Sequence, residues 1–133
     1  MIIKQLSIFI ENREGRLLKV TEALKQENID IKTLSLADTS EFGLLRLIVD
    51  DSDKAKRVLK DAGFSVSLTD VLKIRATYGV GYLHDLLKAM GGDETSIEYM
   101  YTLPGDGCTE LVLKVKGVED IQKKLIESGF IDE

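Results

Sequence analysis

The stretch SIFIENREGRLLKVTEAL, residues 7–24, joins two different periodicities through a turn that contains neither a nucleophile nor a histidine. Leu6, Ile8 and Ile10 alternate with Gln5, Ser7 and Phe9, as in a strand whose two faces differ. Leu17, Val20, Ala23 and Leu24 then recur at three- and four-residue intervals, the apolar stripe of a helix. Between them lie Glu11-Asn12-Arg13-Glu14-Gly15-Arg16. A strand that turns directly into a helix brings unpaired amides and the positive end of the helix dipole to the bend, where an anion is favoured. Gly15 lets backbone approach a ligand with no Cβ in the way. Asn12 both donates and accepts, which suits either a turn, a helix cap or contact with a ligand. Arg13 and Arg16 read as solvated charges, with a carboxylate clamp at Arg16 as the alternative. Glu14 suits the start of a helix.

The pattern is written twice. Setting residue n against residue n+66 without gaps pairs Leu6 with Leu72, Ile8 with Ile74, Gly15 with Gly81, and Leu17 with Leu83. Leu45 pairs with Leu111, Leu47 with Leu113, Leu59 with Leu125, and Gly63-Phe64 with Gly129-Phe130. Apolar core positions and turn glycines are what a shared fold fixes, so the chain divides into units 1–69 and 70–133. In the first unit, residues 31–37 and 44–49 read as strands joined through Thr39-Ser40-Glu41-Phe42-Gly43. Ser52 caps a second helix with Ala55, Val58, Leu59 and Ala62 inward, Gly63 ends it, and Phe64, Val66 and Leu68 form a last strand. The copy gives a strand at 71–77, a helix at 82–90, strands at 96–103 and 110–116, a helix at 118–128 and a short final strand, Phe130-Ile131. The order β-α-β-β-α-β, twice, predicts an α+β fold of two tandem ferredoxin-like units with antiparallel sheets and helices on one face. Units of this size are marginal alone, so packing together and further assembly are expected.

Composition narrows the function. Of 133 residues, 44% are hydrophobic and 31% charged, with one proline, as in a globular chain. The first 66 residues carry 11 basic and 11 acidic side chains and the rest carry 7 and 12, so the whole net charge of −5 lies in the second half. That balance disfavours nucleic acid. No apolar run suits a membrane span or a signal peptide, and a cytoplasmic location is expected. One cysteine, Cys108, and one histidine, His84, leave no disulfide and no histidine- or cysteine-based metal cage. No cofactor is called for, and without a nucleophile–base set or phosphate-binding glycine loop an enzyme is not expected.

Asn12-Arg13-Glu14-Gly15-Arg16-Leu17 resembles the N-x-P-G-x-L signature of ACT domains, small regulatory modules of amino-acid metabolism. Ile29-Asp30-Ile31 and Ser96-Ile97-Glu98-Tyr99-Met100-Tyr101 resemble the second strand of that family. Glu14 stands where the family has proline, and Tyr78 stands in the copy where it has asparagine. The resemblance covers nearly the whole chain as two tandem ACT units. It implies a free amino acid or similar small carboxylate held between one unit's turn and the second strand of the other. On that reading the site draws on Ile10, Glu11, Asn12, Arg13, Glu14, Gly15, Arg16 and Leu17, with Ser96 or Glu98 facing that turn. The second turn, Tyr78, Gly79, Val80 and Gly81, faces Asp30, and the first turn is the better ligand site. A sensor that forms a homodimer or higher homo-oligomer is the leading expectation. The alternative is a regulatory subunit acting on a partner enzyme of amino-acid metabolism, like the small subunit of acetolactate synthase.

Overall fold

In the computed structural model, residues 1–11, 13–38, 42–76 and 79–131 are described. They form β1 (Ile2–Glu11), α1 (Arg16–Gln26), β2 (Ile31–Asp38), β3 (Phe42–Val49), α2 (Ser52–Asp61), β4 (Ser65–Ala76), α3 (Tyr82–Met90), β5 (Ile97–Pro104), β6 (Thr109–Val115) and α4 (Val118–Glu127). A single 3-10 turn, Gly92–Glu94, follows α3. This is the βαββαβ order repeated, with β4 serving both as the last strand of the first copy and the first strand of the second. The chain forms two compact units, Lys4–Thr69, and Met1–Ile3 together with Asp70–Glu133.

In the unit Lys4–Thr69 the strand order is β2-β3-β1-β4. Leu6 lies opposite Leu47 and Ile8 opposite Leu45 across the β1–β3 ladder. Residues opposite one another point to the same face, so these leucines and isoleucines meet Val20 and Leu24 of α1 and Ala55 and Leu59 of α2 in one core. Gln5 points to the other face and is nevertheless fully buried; its amide donates to Ser7 Oγ at 3.1 Å, and the Ser7 and Thr69 hydroxyls are 3.2 Å apart. A polar group buried in this way needs such partners.

The other unit repeats the design. Leu72 faces Leu113 and Ile74 faces Leu111 across β4–β6, and β5 pairs with β6. Leu86 and Met90 of α3 and Ile121 and Leu125 of α4 close its core.

Three sequence expectations need correction. Phe130 and Ile131 form no strand: Gly129 is left-handed (φ 81°), and the amides of Phe130 and Ile131 donate to Leu125 O at 2.9 and 3.3 Å. Their hydrogen bonds finish α4 instead of a ladder. Beside β4 runs the chain start instead, Lys73 N–H donating to Met1 O at 2.7 Å. Second, Asp51, not Ser52, caps α2, its carboxylate accepting from Lys54 N–H at 3.1 Å. Third, the strands expected at 64–68 and 71–77 are one strand of 12 residues, β4. In the β2–β3 connection, Phe42 and Gly43 belong to β3, and Thr39, Ser40 and Glu41 lie outside the described residues.

Gly15 and Gly81, 66 residues apart, stand at matching points before α1 and α3 with φ of 82° and 86°. A Cβ on Gly15 meets nothing within 4 Å, so only the left-handed backbone resists a side chain there. Gly15→Ala is expected to cost about 1–2 kcal/mol, read as a lower denaturant midpoint with unchanged slope.

Candidate functional site

The strand–turn–helix junction of the unit Lys4–Thr69 is built by β1 ending at Glu11 and α1 starting at Arg16. Arg13 N–H turns back to Glu11 O at 2.8 Å, and Lys19 N–H makes the first helical bond, to Gly15 O at 3.1 Å. Gly15 offers no side-chain cap. The amides of the first turn therefore depend on groups outside the helix.

Beside this junction lies a cavity of about 230 Å3, lined by Ile10, Glu11, Arg13, Arg16, Leu17, Leu36 and Gly43. Register explains its shape. Gly43 sits opposite Ile10, and a Cβ on Gly43 would approach Ile10 Cγ1 to 3.2 Å and Leu36 Cδ1 to 3.4 Å. The absence of a side chain at Gly43 keeps that wall open. Ile10, Leu17 and Leu36 make the apolar lining.

The two arginines differ. Arg13 Nε pairs with Glu11 Oε2 at 2.9 Å in the open, where such pairs contribute little. Arg16 stands with its guanidinium 4.6 Å above the ring of Phe64, a cation–π contact. Phe64 is itself only 6% exposed and is fixed by its N–H donating to Leu59 O at 3.0 Å. Arg16 Nε is buried and has no hydrogen-bond partner among the described residues. A buried donor left unmade is costly. Among the described residues nothing satisfies this one.

The duplicate junction has different chemistry. Position 82 corresponds to Arg16, and Phe130 to Phe64, at the same spacing of 66. Tyr82 packs on Phe130, with ring centroids 5.9 Å apart and tilted by 57°, and its hydroxyl donates to Arg75 O at 2.8 Å. An aromatic ring with its one donor already used replaces the cation. Gly79, Val80 and Gly81 are exposed.

Asp30, Ser96 and Glu98 are each placed within their own unit. Asp30 precedes β2, at the end of its sheet away from Gly15, and lines a separate cleft of about 480 Å3 with Thr21, Lys25 and Asn28. Its carboxylate binds Lys32 Nζ at 2.9 Å, and that hydrogen bond holds the lysine pKa above its ordinary value. Ser96 lines a cavity of about 260 Å3 in the second unit, and Glu98 is exposed on β5. Glu14 and Gly15 are exposed at the turn. Asn12 and Tyr78 lie outside the described residues. Leu36, Gly43 and Phe64 were not singled out. The pairing of Phe64 with Phe130 in the repeat was a usable signal for one of them. Leu36 and Gly43 needed the strand register. His84 is exposed and Cys108 half-buried, and no group of three or more His, Cys, Asp or Glu among the described residues is placed to hold a metal.

The fold defines a pair of small ferredoxin-like modules. The chain belongs to the ACT domain pair family, whose model matches residues 1–131. It is similar to a protein of Bacteroides thetaiotaomicron known from its crystal structure, with 40% identity and a TM-score of 0.89 over 97% of this chain and 90% of that one. It shares its fold with the ligand-free regulatory subunit of aspartate kinase from Thermus thermophilus, at 14% identity and a TM-score of 0.62 over 96% of this chain and 97% of that one. The corresponding subunit from Thermus flavus gives 16% identity and a TM-score of 0.61, covering 97% and 95%. No curated protein matches the chain significantly.

Proposed function

We propose that this ACT domain pair is a sensor that binds a free amino acid, or a similar small carboxylate, at the junction of β1 and α1. The observation that supports this most directly is Arg16: a cation propped on Phe64, its buried Nε unpartnered among the described residues, lining a cavity whose other walls include Ile10, Leu17 and Leu36. The carboxylate meets Arg16 and the first-turn amides, and the ligand's side chain packs on Ile10, Leu17 and Leu36. The bound form has a filled cavity and a satisfied guanidinium, so ligand shifts the population toward the arrangement in which that cavity is formed. The signal then passes to another protein or to another copy of the chain, and the chain itself is not an enzyme.

A thermal unfolding screen against the twenty amino acids tests the reading. A ligand binding only the folded state at a hundredfold excess over its Kd adds about 2.7 kcal/mol of stability, and at least one amino acid is expected to raise the midpoint. No shift with any of them at many millimolar would sink the proposal.

A further inference from the structure

One corner of the fold, between the start of the outer strand and the start of a unit's second helix, differs between the repeats. In the unit Lys4–Thr69 that corner is acidic. Asp51 caps α2, its carboxylate accepting from Lys54 N–H at 3.1 Å. The Asp50 carboxylate accepts from Asp30 N–H, also at 3.1 Å, just before β2. In the other unit the equivalents of Asp50 and Asp51 are Lys116 and Gly117. Gly117 is left-handed (φ 65°) and gives α4 no side-chain cap. A cation and a bare backbone stand where the copy has two carboxylates, at a helix start whose free amides favour an anion.

The corner opens into a cavity of about 260 Å3 whose walls include Thr95, Lys116, Gly117 and Lys124. Thr95 and Lys124 stand where the first unit has Ile29 and Val58, so this wall carries a hydroxyl and a second cation that its copy lacks. Thr95 Oγ1 is buried and has no hydrogen-bond partner among the described residues, which costs stability. A Cβ on Gly91 would come to 3.1 Å from Thr95 Oγ1 and 3.8 Å from Lys124 Nζ. With no side chain there, the hydroxyl and the ammonium border the same opening. The ion pairs among the described residues use neither Lys116 nor Lys124.

We infer that this cavity is a second binding site, for the carboxylate of a small molecule, which takes the place that Asp51 fills in the first unit. The carboxylate accepts from the first-turn amides of α4 and from Thr95 Oγ1, and Lys116 and Lys124 balance its charge. Glu94 and Asp120 also line the cavity. Its four charged side chains therefore sum to zero, which favours a singly charged carboxylate over a doubly charged phosphate. The inference does not rest on the ligand reading of the Arg16 cavity, with which this one shares no residue.

Amide NMR spectra of the full chain, titrated with acetate, test it. Saturable shifts are expected at Thr95, Val118, Glu119 and Asp120, at concentrations of about 1–100 mM. The matching amides of Ser52, Asp53 and Lys54 should stay in place, because Asp51 already caps that helix. Lys116→Gln/Lys124→Gln changes two exposed side chains and should weaken the response about tenfold or more. Thr95→Val should weaken it too while melting no earlier than wild type, since it removes a buried hydroxyl that has no partner among the described residues. Arg16→Leu should leave it unchanged, which keeps the failure of this site apart from the failure of the first. No saturable shift at the start of α4, equal shifts at both helix starts, a response that survives the double lysine variant, or a response to inorganic phosphate without one to acetate would each overturn the inference.

Discussion

Arg16→Leu is expected to leave the protein folded and to remove its thermal response to the amino acid that stabilises the wild type. The folded state loses a cation–π contact with Phe64, worth about 0.5–2 kcal/mol. It also sheds a buried Nε that has no partner among the described residues, a burden of about 1–3 kcal/mol. These nearly cancel, so the unliganded midpoint should move little in either direction. Binding has no such offset. A hydrogen bond to a charged group contributes about 1.5–3 kcal/mol, so affinity should fall by about 10- to 150-fold. Arg16→Lys keeps the charge but offers a point ammonium in place of a planar fork, and it should fall between wild type and Arg16→Leu. Isothermal titration calorimetry separates the three. If Arg16→Leu binds as tightly as wild type, the carboxylate sits elsewhere and the cavity reading fails.

That expectation depends on a feature only half visible in the sequence. The duplication at 66 residues and the element order could be read because core leucines and turn glycines leave periodic, matched marks. Gly15 and Gly81 share a left-handed backbone at matching points of the repeat. The polar partners left no such marks. Gln5 alternates with Leu6 as a surface residue does, yet it is fully buried, and Ser7, two residues on, accepts from its amide. Likewise Asp51 outcompetes Ser52 as a cap because its oxygen lies where the Lys54 amide points, a matter of one residue in a helix start. The cavity wall formed by Leu36 and Gly43 depends on which residues of β1, β2 and β3 lie opposite each other. A single sequence does not declare register. The Arg16–Phe64 stack joins the start of one helix to the residue just before β4, 48 positions apart, and the parallel Tyr82–Phe130 contact shows that the repeat preserved the contact while changing its chemistry.

Leu59→Ala and Leu125→Ala put that difference between the units to use. The two leucines are repeat equivalents, both fully buried on the second helix of their unit. Each truncation should cost about 2–5 kcal/mol, from lost transfer energy plus the cavity left behind. In a chain of this size that lowers the thermal midpoint by about 10 °C or more. The consequences for the ligand should differ. Leu59 shares its core with Ile10 and with Phe64, the ring on which Arg16 rests. Loosening that ring frees the guanidinium from its stack and makes a bound carboxylate harder to hold, so the ligand-induced rise in midpoint should shrink as well. Leu125 lies in a cluster that includes none of the residues lining the Arg16 cavity. Leu125→Ala should therefore unfold earlier while keeping its ligand response. Equal loss of response in the two variants would mean that the ligand reads global stability and not the packing behind Arg16.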